Sequence, residues 1–172
     1  MKKQLLLVVA LLMTAVVAVN AQFYPPLYTD PIPVESSTYS SPRPFETSAA
    51  YSFTQQIYTA AELGNQPMTI MGISFLKTAG TYHQRHLKVY LANVSRTNFN
   101  GDFLTYPTDS FQLVFDRVYN FQDQNRWENL WFNTNFQYDG VHNLAVYVVD
   151  ETGVSDNGTN TITFATTPTS YG

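Results

Sequence analysis

Apolar and polar residues alternate along much of the chain after residue 45, with the period of two that is typical of half-buried β-strands. Pairs of turn-forming residues, such as Asp139-Gly140 and Asn157-Gly158, separate the alternating segments. The pattern predicts strands in the segments 51–58, 71–75, 86–91, 111–119, 127–133 and 161–166. The side chains predicted to lie in the core are Ile73, Phe75, Leu87, Val89, Val146 and Val148.

The segment 143–149 departs from this alternation, because nearly all of its residues are apolar. Such a strand is covered on both faces, so we predict that it lies in the centre of a sheet. No stretch after residue 21 shows a sustained helical period. The pattern therefore predicts an all-β fold, an antiparallel two-sheet sandwich, jelly-roll-like, with about seven to nine strands. A closed barrel is the alternative.

The segment 1–21 has the pattern of a secretory signal peptide. A basic start at Lys2 and Lys3 precedes an apolar stretch, and the small residue Ala21 fits a cleavage site before Gln22. The alternative is a retained membrane anchor, but the apolar stretch is shorter than the roughly 20 residues that span a bilayer. The sequence predicts export across the inner membrane, to the cell surface or the surroundings, with no stable transmembrane segment after cleavage.

Residues 22–45 are rich in proline and serine, and proline opposes both helices and central strands. We interpret this segment as an extended leader or linker whose last residues can enter the domain, with an irregular first edge strand as the alternative. The predicted β-sandwich domain covers 46–172.

Composition and charge exclude several classes of function. Cleavage of the leader removes Lys2 and Lys3 and changes the formal net charge from −4 to −6. Nucleic acid is therefore not a predicted partner, because phosphate binding needs a positive surface. The chain has no cysteine, which excludes disulfides, thiolate metal sites and cysteine nucleophiles. Aromatic residues make up 15% of the chain and can supply an apolar core instead.

The order of several short motifs resembles a β-sandwich module of secreted, surface and adhesin-type proteins of the Bacteroidetes. The motifs are Ser52–Tyr58, Glu62–Gly64, Ile70–Phe75, Arg85–Leu91, Val114-Phe115, Trp127–Phe132, Phe136–Gly140 and Asn143–Asp150. The resemblance implies a jelly-roll-like fold, a secreted or surface setting and no catalytic residue. It also implies further strand sequence after Phe164, so we expect the chain to be a piece of a longer protein.

Trp127 and Trp131 are four residues apart on one predicted strand, so their side chains lie on the same face. An exposed pair would form a platform for sugar rings, whereas a buried pair would belong to the core. Leu130 and Phe132 face the other way, so at least one of the two apolar sets is expected to be partly exposed or covered by a loop. We expect Trp127 in the core and leave Trp131 open. The candidate ligand-binding residues are Trp131, Trp127 and Tyr90.

Asp150, Glu151 and Asp156 fall in one predicted loop and form a candidate calcium site, since calcium prefers oxygen ligands. A solvated turn between strands is the alternative. His83 and His86 are three apart on a strand, which places them on opposite faces and disfavours a shared zinc ion. No other cofactor is predicted.

Signals for catalysis are weak. The Gly-x-Ser-x-Gly elbow of many hydrolases is absent. Asp116 and Glu128, on neighbouring predicted strands, would form a glycosidase pair only at a suitable separation, and charged residues on an outer strand face are the alternative.

The sequence favours a non-catalytic, secreted or surface-displayed module of adhesin type that binds an extracellular protein or glycan. The alternative is a carbohydrate-binding or accessory module of a secreted hydrolase whose catalytic domain lies outside this chain.

Overall fold

The computed structural model describes residues 39–81, 83–99, 110–123, 125–156, 158 and 160–166. The predicted signal peptide and the last residues of the chain lie outside the described residues. None of the described segments forms a helix of the length and apolarity needed to cross a membrane. The strands are β1 (Tyr39–Ser41), β2 (Ser52–Tyr58), β3 (Met68–Ala79), β4 (His83–Val94), β5 (Gln112–Phe121), β6 (Trp127–Tyr138), β7 (Asn143–Asp150) and β8 (Thr163–Thr166).

These strands form two antiparallel sheets of four strands each. Sheet I has the order β1-β8-β3-β6 and sheet II has the order β2-β7-β4-β5. Each strand of the first half pairs with its counterpart in the second half: β1 with β8, β2 with β7, β3 with β6 and β4 with β5. Lateral pairing of β3 with β8 and of β4 with β7 completes the sheets. A long β-ribbon rolled up in this way has jelly-roll topology, and the predicted fold class is confirmed.

The core lies between the two sheets and is built from the apolar phase of the strands. The predicted core residues that are buried are Leu87, Val89, Val146 and Val148. Ile73 and Phe75 are only partly buried, and they pack against this core.

The strand β7 lies between β2 and β4, in the interior of sheet II. Val146 and Val148 belong to the core between the sheets, whereas Tyr147 points to the opposite, outer face of the sheet. Tyr147 is nevertheless only 2% exposed. The prediction of a central strand covered on both faces is confirmed.

The end of the Pro-rich segment belongs to the domain. Tyr39–Ser41 pairs with β8 as an edge strand, and Phe45 is fully buried. The ring centroid of Phe45 lies 5.3 Å from that of Phe75, 5.2 Å from that of Phe121 and 5.3 Å from that of Phe164. From residue 39 onward the structure therefore agrees with the alternative of an irregular first edge strand, because proline is compatible with an edge strand.

The turn between β6 and β7 is the one that the Asp139-Gly140 pair predicts. Gly140 has a φ of +75°, and a Cβ atom there would lie 2.3 Å from the backbone nitrogen of Pro67, so only glycine fits. One carboxylate oxygen of Asp139 accepts hydrogen bonds from the backbone N–H groups of Val141 and His142, each at 2.9 Å. These bonds fix the exit of β6 and the start of β7.

Candidate functional site

Both tryptophans of the chain are exposed on the outer face of sheet I. The side chains of Trp127 and Trp131, on the edge strand β6, are 53% and 56% exposed. The expectation that Trp127 belongs to the core is wrong. The inward-facing phase of this strand is occupied by Glu128 and Leu130, both fully buried, so the tryptophan phase faces solvent.

The two indoles share one face of a regular strand. The register between β6 and β3 is unbroken from Trp127, opposite Leu76, to Trp131, opposite Gly72. At a rise of ~3.3 Å per residue, the attachment points of the two rings are about 13 Å apart. The sequence-based prediction that both side chains lie on the same face is confirmed.

Gly72 provides the space in which the Trp131 ring lies. A Cβ atom at position 72 would lie 3.1 Å from Cε3 of the indole and 2.9 Å from the carbonyl oxygen of Leu130. The ring therefore covers the glycine backbone and lies against the sheet, with its other side turned to solvent. This close approach is the reason for glycine here, since its φ lies outside the left-handed region.

A polar pair separates the two tryptophans. Ser74 and Asn129 face each other on the outer face, and the Ser74 hydroxyl donates to Oδ1 of Asn129 at 2.6 Å. This bond uses Oδ1 of the exposed Asn129 side chain, whose Nδ2 group has two N–H donors. A second exposed pair, Thr69 and Gln137, lies further along the same two strands at 3.1 Å.

The outer face of sheet I carries no charge along its strands. The four strands contain two charged residues, Lys77 and Glu128, and both point inward and are fully buried. Arg126, just before β6, directs its guanidinium to the carboxylate of Glu128, with 3.7 Å between Nε and Oε1. The strand face around the two indoles is therefore made of hydroxyl, amide and apolar groups, and the guanidinium groups of Arg126 and Arg117 lie at its margin.

Hydrogen bonds from β5 hold the strand that carries the tryptophans. The Arg117 guanidinium donates to the carbonyl oxygen of Trp131. The backbone N–H of Asp116 donates to Oδ1 of Asn133 at 3.0 Å, and Nε2 of Gln112 donates to the carbonyl oxygen of Asn135 at 3.2 Å. These bonds connect the neighbouring edges of the two sheets and occupy backbone groups of an otherwise open edge.

Tyr90, the third candidate ligand-binding residue, lies on sheet II and not beside the tryptophans. It is half-buried, and its ring contacts Tyr147 edge-on with 6.2 Å between centroids. Phe53 stacks on the same tyrosine at 5.7 Å, and Phe111 contacts it at 6.3 Å. Tyr90 therefore belongs to an aromatic cluster that covers β7, and the structure separates it from the other two candidates.

The structure does not assemble the candidate calcium site. The buried carboxylate of Asp150 accepts from Nε of Arg85 at 2.6 Å, and Glu151 pairs with Nζ of Lys88 at 2.7 Å. The hydrogen bond to Glu151 raises the pKa of Lys88. Within the described residues, no group of three or more carboxylate, histidine or cysteine side chains is placed to hold a metal ion. Asp150, Glu151 and Asp156 each turn to a different partner, so the three carboxylates do not converge as the calcium hypothesis requires.

Asp156 points into one end of the sandwich. Its Oδ2 atom accepts from Oγ1 of the buried Thr47 at 2.8 Å and lies 3.2 Å from Nε2 of His83. Burial alone would raise the pKa of Asp156, but the hydrogen bonds from Thr47, His83 and the backbone N–H of Gly158 outweigh it and lower the pKa. The Thr47 hydroxyl donates to the carboxylate of Asp156 and not to His83, so the three side chains connect their segments of the chain and do not have the geometry of a nucleophile–base pair.

His86 and Asp116 lie on the outer face of sheet II, where Nε2 and Oδ1 are 2.8 Å apart. His83 faces inward, so the predicted placement of the two histidines on opposite faces is confirmed. Glu128 lies in sheet I and points inward, so it does not form the hypothetical acidic pair with Asp116. That hypothesis is wrong because consecutive strands β5 and β6 belong to different sheets.

Sequence reasoning missed the charged residues inside the sandwich. Glu128 accepts a hydrogen bond from the Tyr119 hydroxyl at 2.9 Å, and burial together with this bond raises the pKa of Tyr119. Nζ of Lys77 donates to the carbonyl oxygen of Gly80 at 2.5 Å, and burial lowers the pKa of this lysine. The available signal was phase, because Lys77 and Arg85 stand in the apolar register of their strands.

Comparisons of the chain with protein-family models, with curated proteins and with solved structures find no match.

Proposed function

We propose that this domain is a non-catalytic, exported interaction module that binds a glycan on the outer face of sheet I. The observation that carries the proposal is the exposure of both Trp127 and Trp131 on a strand face without charge. Because both indoles are exposed, they do not contribute to the core between the sheets. Large apolar groups that are exposed together on one face are typical of a binding surface.

The surface has the chemistry that a sugar ring requires. A pyranose ring has C–H groups on its faces, which stack on an aromatic ring, and hydroxyl groups around its edge. The indoles of Trp127 and Trp131 supply the stacking surfaces, and Asn129 supplies donors at the level of the sugar hydroxyls. Binding sites of this kind combine aromatic side chains with a few placed polar groups.

Two biological settings fit this surface. An adhesin-type module would use it to hold a cell to a glycan, and an accessory module would use it to hold a hydrolase on its substrate. The ordered strand motifs that resemble surface modules of the Bacteroidetes support the adhesin setting. The separation of Asp116 from Glu128 supports a module without glycosidase chemistry of that pair.

A glycan array with the folded domain tests the proposal. The wild type is expected to bind one or more uncharged glycans, and Trp131→Ala is expected to lose this binding while its far-UV circular dichroism and unfolding midpoint stay close to those of the wild type. Loss of a central aromatic group typically lowers affinity by about tenfold or more.

Two further variants make the result specific. Phe53→Ala removes an aromatic side chain, 45% exposed, from the outer face of sheet II and is expected to leave glycan binding unchanged. Gly72→Ala keeps both tryptophans but pushes against the Trp131 ring, so binding is expected to weaken. The proposal is wrong if the wild type binds no glycan, or if Phe53→Ala and Trp131→Ala reduce binding equally.

A further inference from the structure

The position of the tryptophans on a single edge strand restricts how a glycan can lie on sheet I. A ligand that crossed the sheet from Trp131 would leave the indole at Gly72 and would not reach β8, because the described part of β8 pairs with β3 only at Lys77 and Ala79, beyond the level of Trp127. That path contains one stacking surface. A ligand that follows β6 meets Trp131, then Asn129, then Trp127, and therefore two stacking surfaces with donors between them.

The distance between the rings sets a minimum length. The attachment points are about 13 Å apart, which exceeds the length of one sugar ring. A single sugar can therefore occupy one indole only. An oligosaccharide that reaches both rings binds with two contacts joined in one molecule, which raises its affinity above that of either contact alone.

The twist of the strand restricts the form of the polymer. β-Strands twist with a right hand along their axis, so the two indoles are rotated relative to each other. A twisted platform is complementary to a single chain in solution, which can follow the twist, and is a poor match for the flat face of a crystalline polysaccharide. The strands of sheet I display no charge, and the two arginines nearest the tryptophans are engaged within the domain, Arg126 with Glu128 and Arg117 with the carbonyl oxygen of Trp131, which disfavours sulfated and uronic acid polymers.

We propose that the ligand is one extended, uncharged oligosaccharide chain that lies along β6. In this arrangement, one sugar stacks on each indole, and the Nδ2 group of Asn129 donates to a hydroxyl group between them. This inference rests on the proposed glycan-binding function and adds the direction, minimum length and charge class of the ligand.

Fluorescence titration provides a direct test, because Trp127 and Trp131 are the only tryptophans of the chain. Trp127→Phe and Trp131→Phe each leave one reporter at a known end of the platform. The probes are cello-, manno- and xylo-oligosaccharides from the dimer to the hexamer, with oligogalacturonate as the charged counterpart and microcrystalline cellulose as the flat, insoluble one. The hexamer of at least one series is expected to shift the emission of both single-tryptophan variants to shorter wavelength.

Affinity is expected to rise by about tenfold or more between the dimer and the hexamer in the wild type, and this rise is expected to disappear in Trp127→Ala and in Trp131→Ala. Asn129→Ala is expected to weaken hexamer binding more than dimer binding. The inference is overturned if affinity does not depend on length, if Trp127→Ala has no effect, or if the charged oligomer or the crystalline polymer binds best.

These results are distinct from a failure of the proposed function. Binding of a branched or charged glycan on the array, without binding of the neutral linear series, would overturn the direction and charge class but keep a glycan-binding module. Absence of binding to the array and to all the oligosaccharides would overturn both.

Discussion

The outer faces of the two sheets use aromatic residues in opposite ways. On sheet II, the ring of Tyr147 is only 2% exposed, because Phe53, Tyr90 and Phe111 pack around it. On sheet I, both indoles remain more than half exposed. The faces also differ in charge, since β4 and β5 display His86, Lys88 and Asp116 on sheet II, whereas the strands of sheet I display none.

The difference in exposure assigns the aromatic residues of sheet II to stability and those of sheet I to the proposed binding surface. An aromatic ring that is covered on the outside of a sheet adds a second layer of packing and stabilises the fold. A ring that stays exposed contributes little to folding and is available to a ligand. The same residue type therefore has a different role on each face, and burial decides which role it has.

The largest expected effect is on the covered face. Tyr147→Ala should lower the free energy of unfolding by about 3–5 kcal/mol, because it removes a buried ring that contacts three others. Chemical denaturation followed by circular dichroism measures the loss. A loss below about 1 kcal/mol would show that the aromatic cluster on sheet II does not hold the fold, and the contrast between the faces would disappear.

The matched change on the exposed face should cost much less. Trp127→Ala and Trp131→Ala are each expected to lower the free energy of unfolding by about 1 kcal/mol or less, since each ring is more than half exposed. The same denaturation experiment applies. A loss comparable with that of Tyr147→Ala would assign the tryptophans to the fold and weaken the case for a binding platform.

The charged pair on sheet II should contribute a smaller amount that depends on salt and pH. Lys88→Met is expected to cost about 0.2–1 kcal/mol, and less at high ionic strength, because the pair with Glu151 is partly exposed. The folded state raises the pKa of Lys88, so this contribution is complete below the ordinary value of 10.5 and declines as the pH rises through the folded value. Thermal unfolding of wild type and variant at several salt concentrations and pH values measures it.

The smallest expected effect lies at the connection between the two sheets. Hydrogen bonds from the backbone N–H groups of His142 and Val141, and from the His142 side chain, lower the pKa of Asp139 from 3.8 to about 2. The stability that this carboxylate contributes is present above pH 3.8 and is lost as the pH falls toward 2. Asp139→Asn should therefore lower the melting temperature slightly at pH 7 and have less effect near pH 2. An equal difference at both pH values would contradict this assignment.

Much of the fold could be predicted from the sequence because the period of two is a local property. The strands β2 to β8 and the central position of β7 follow from alternation or its absence. The short strand β1 was predicted only as an alternative, because proline dominates the sequence around it. The burial of Phe45 in the core depends on tertiary packing, which the local sequence does not show.

The candidate site was less predictable, because its properties depend on strand pairing. Alternation places Trp127 and Trp131 on one face but does not tell whether that face is inside or outside. In the structure the opposite face of β6 is the inner one. It includes the charged residue Glu128, which is buried and accepts a hydrogen bond from Tyr119, and local alternation does not predict a buried charge. Gly72 lies beneath the Trp131 ring because of the register between β3 and β6, and no local sequence pattern predicts that register.

The rolled ribbon also determines how the domain can be attached to other segments. Tyr39 lies directly opposite Thr166, so the chain before β1 and the chain after β8 leave from the same corner of sheet I. Two strands, β8 and β3, lie between that edge and β6, and three interstrand spacings amount to about 14 Å. A tether or neighbouring domain joined at either side would therefore hold the module by one edge and leave the tryptophan strand accessible at the other.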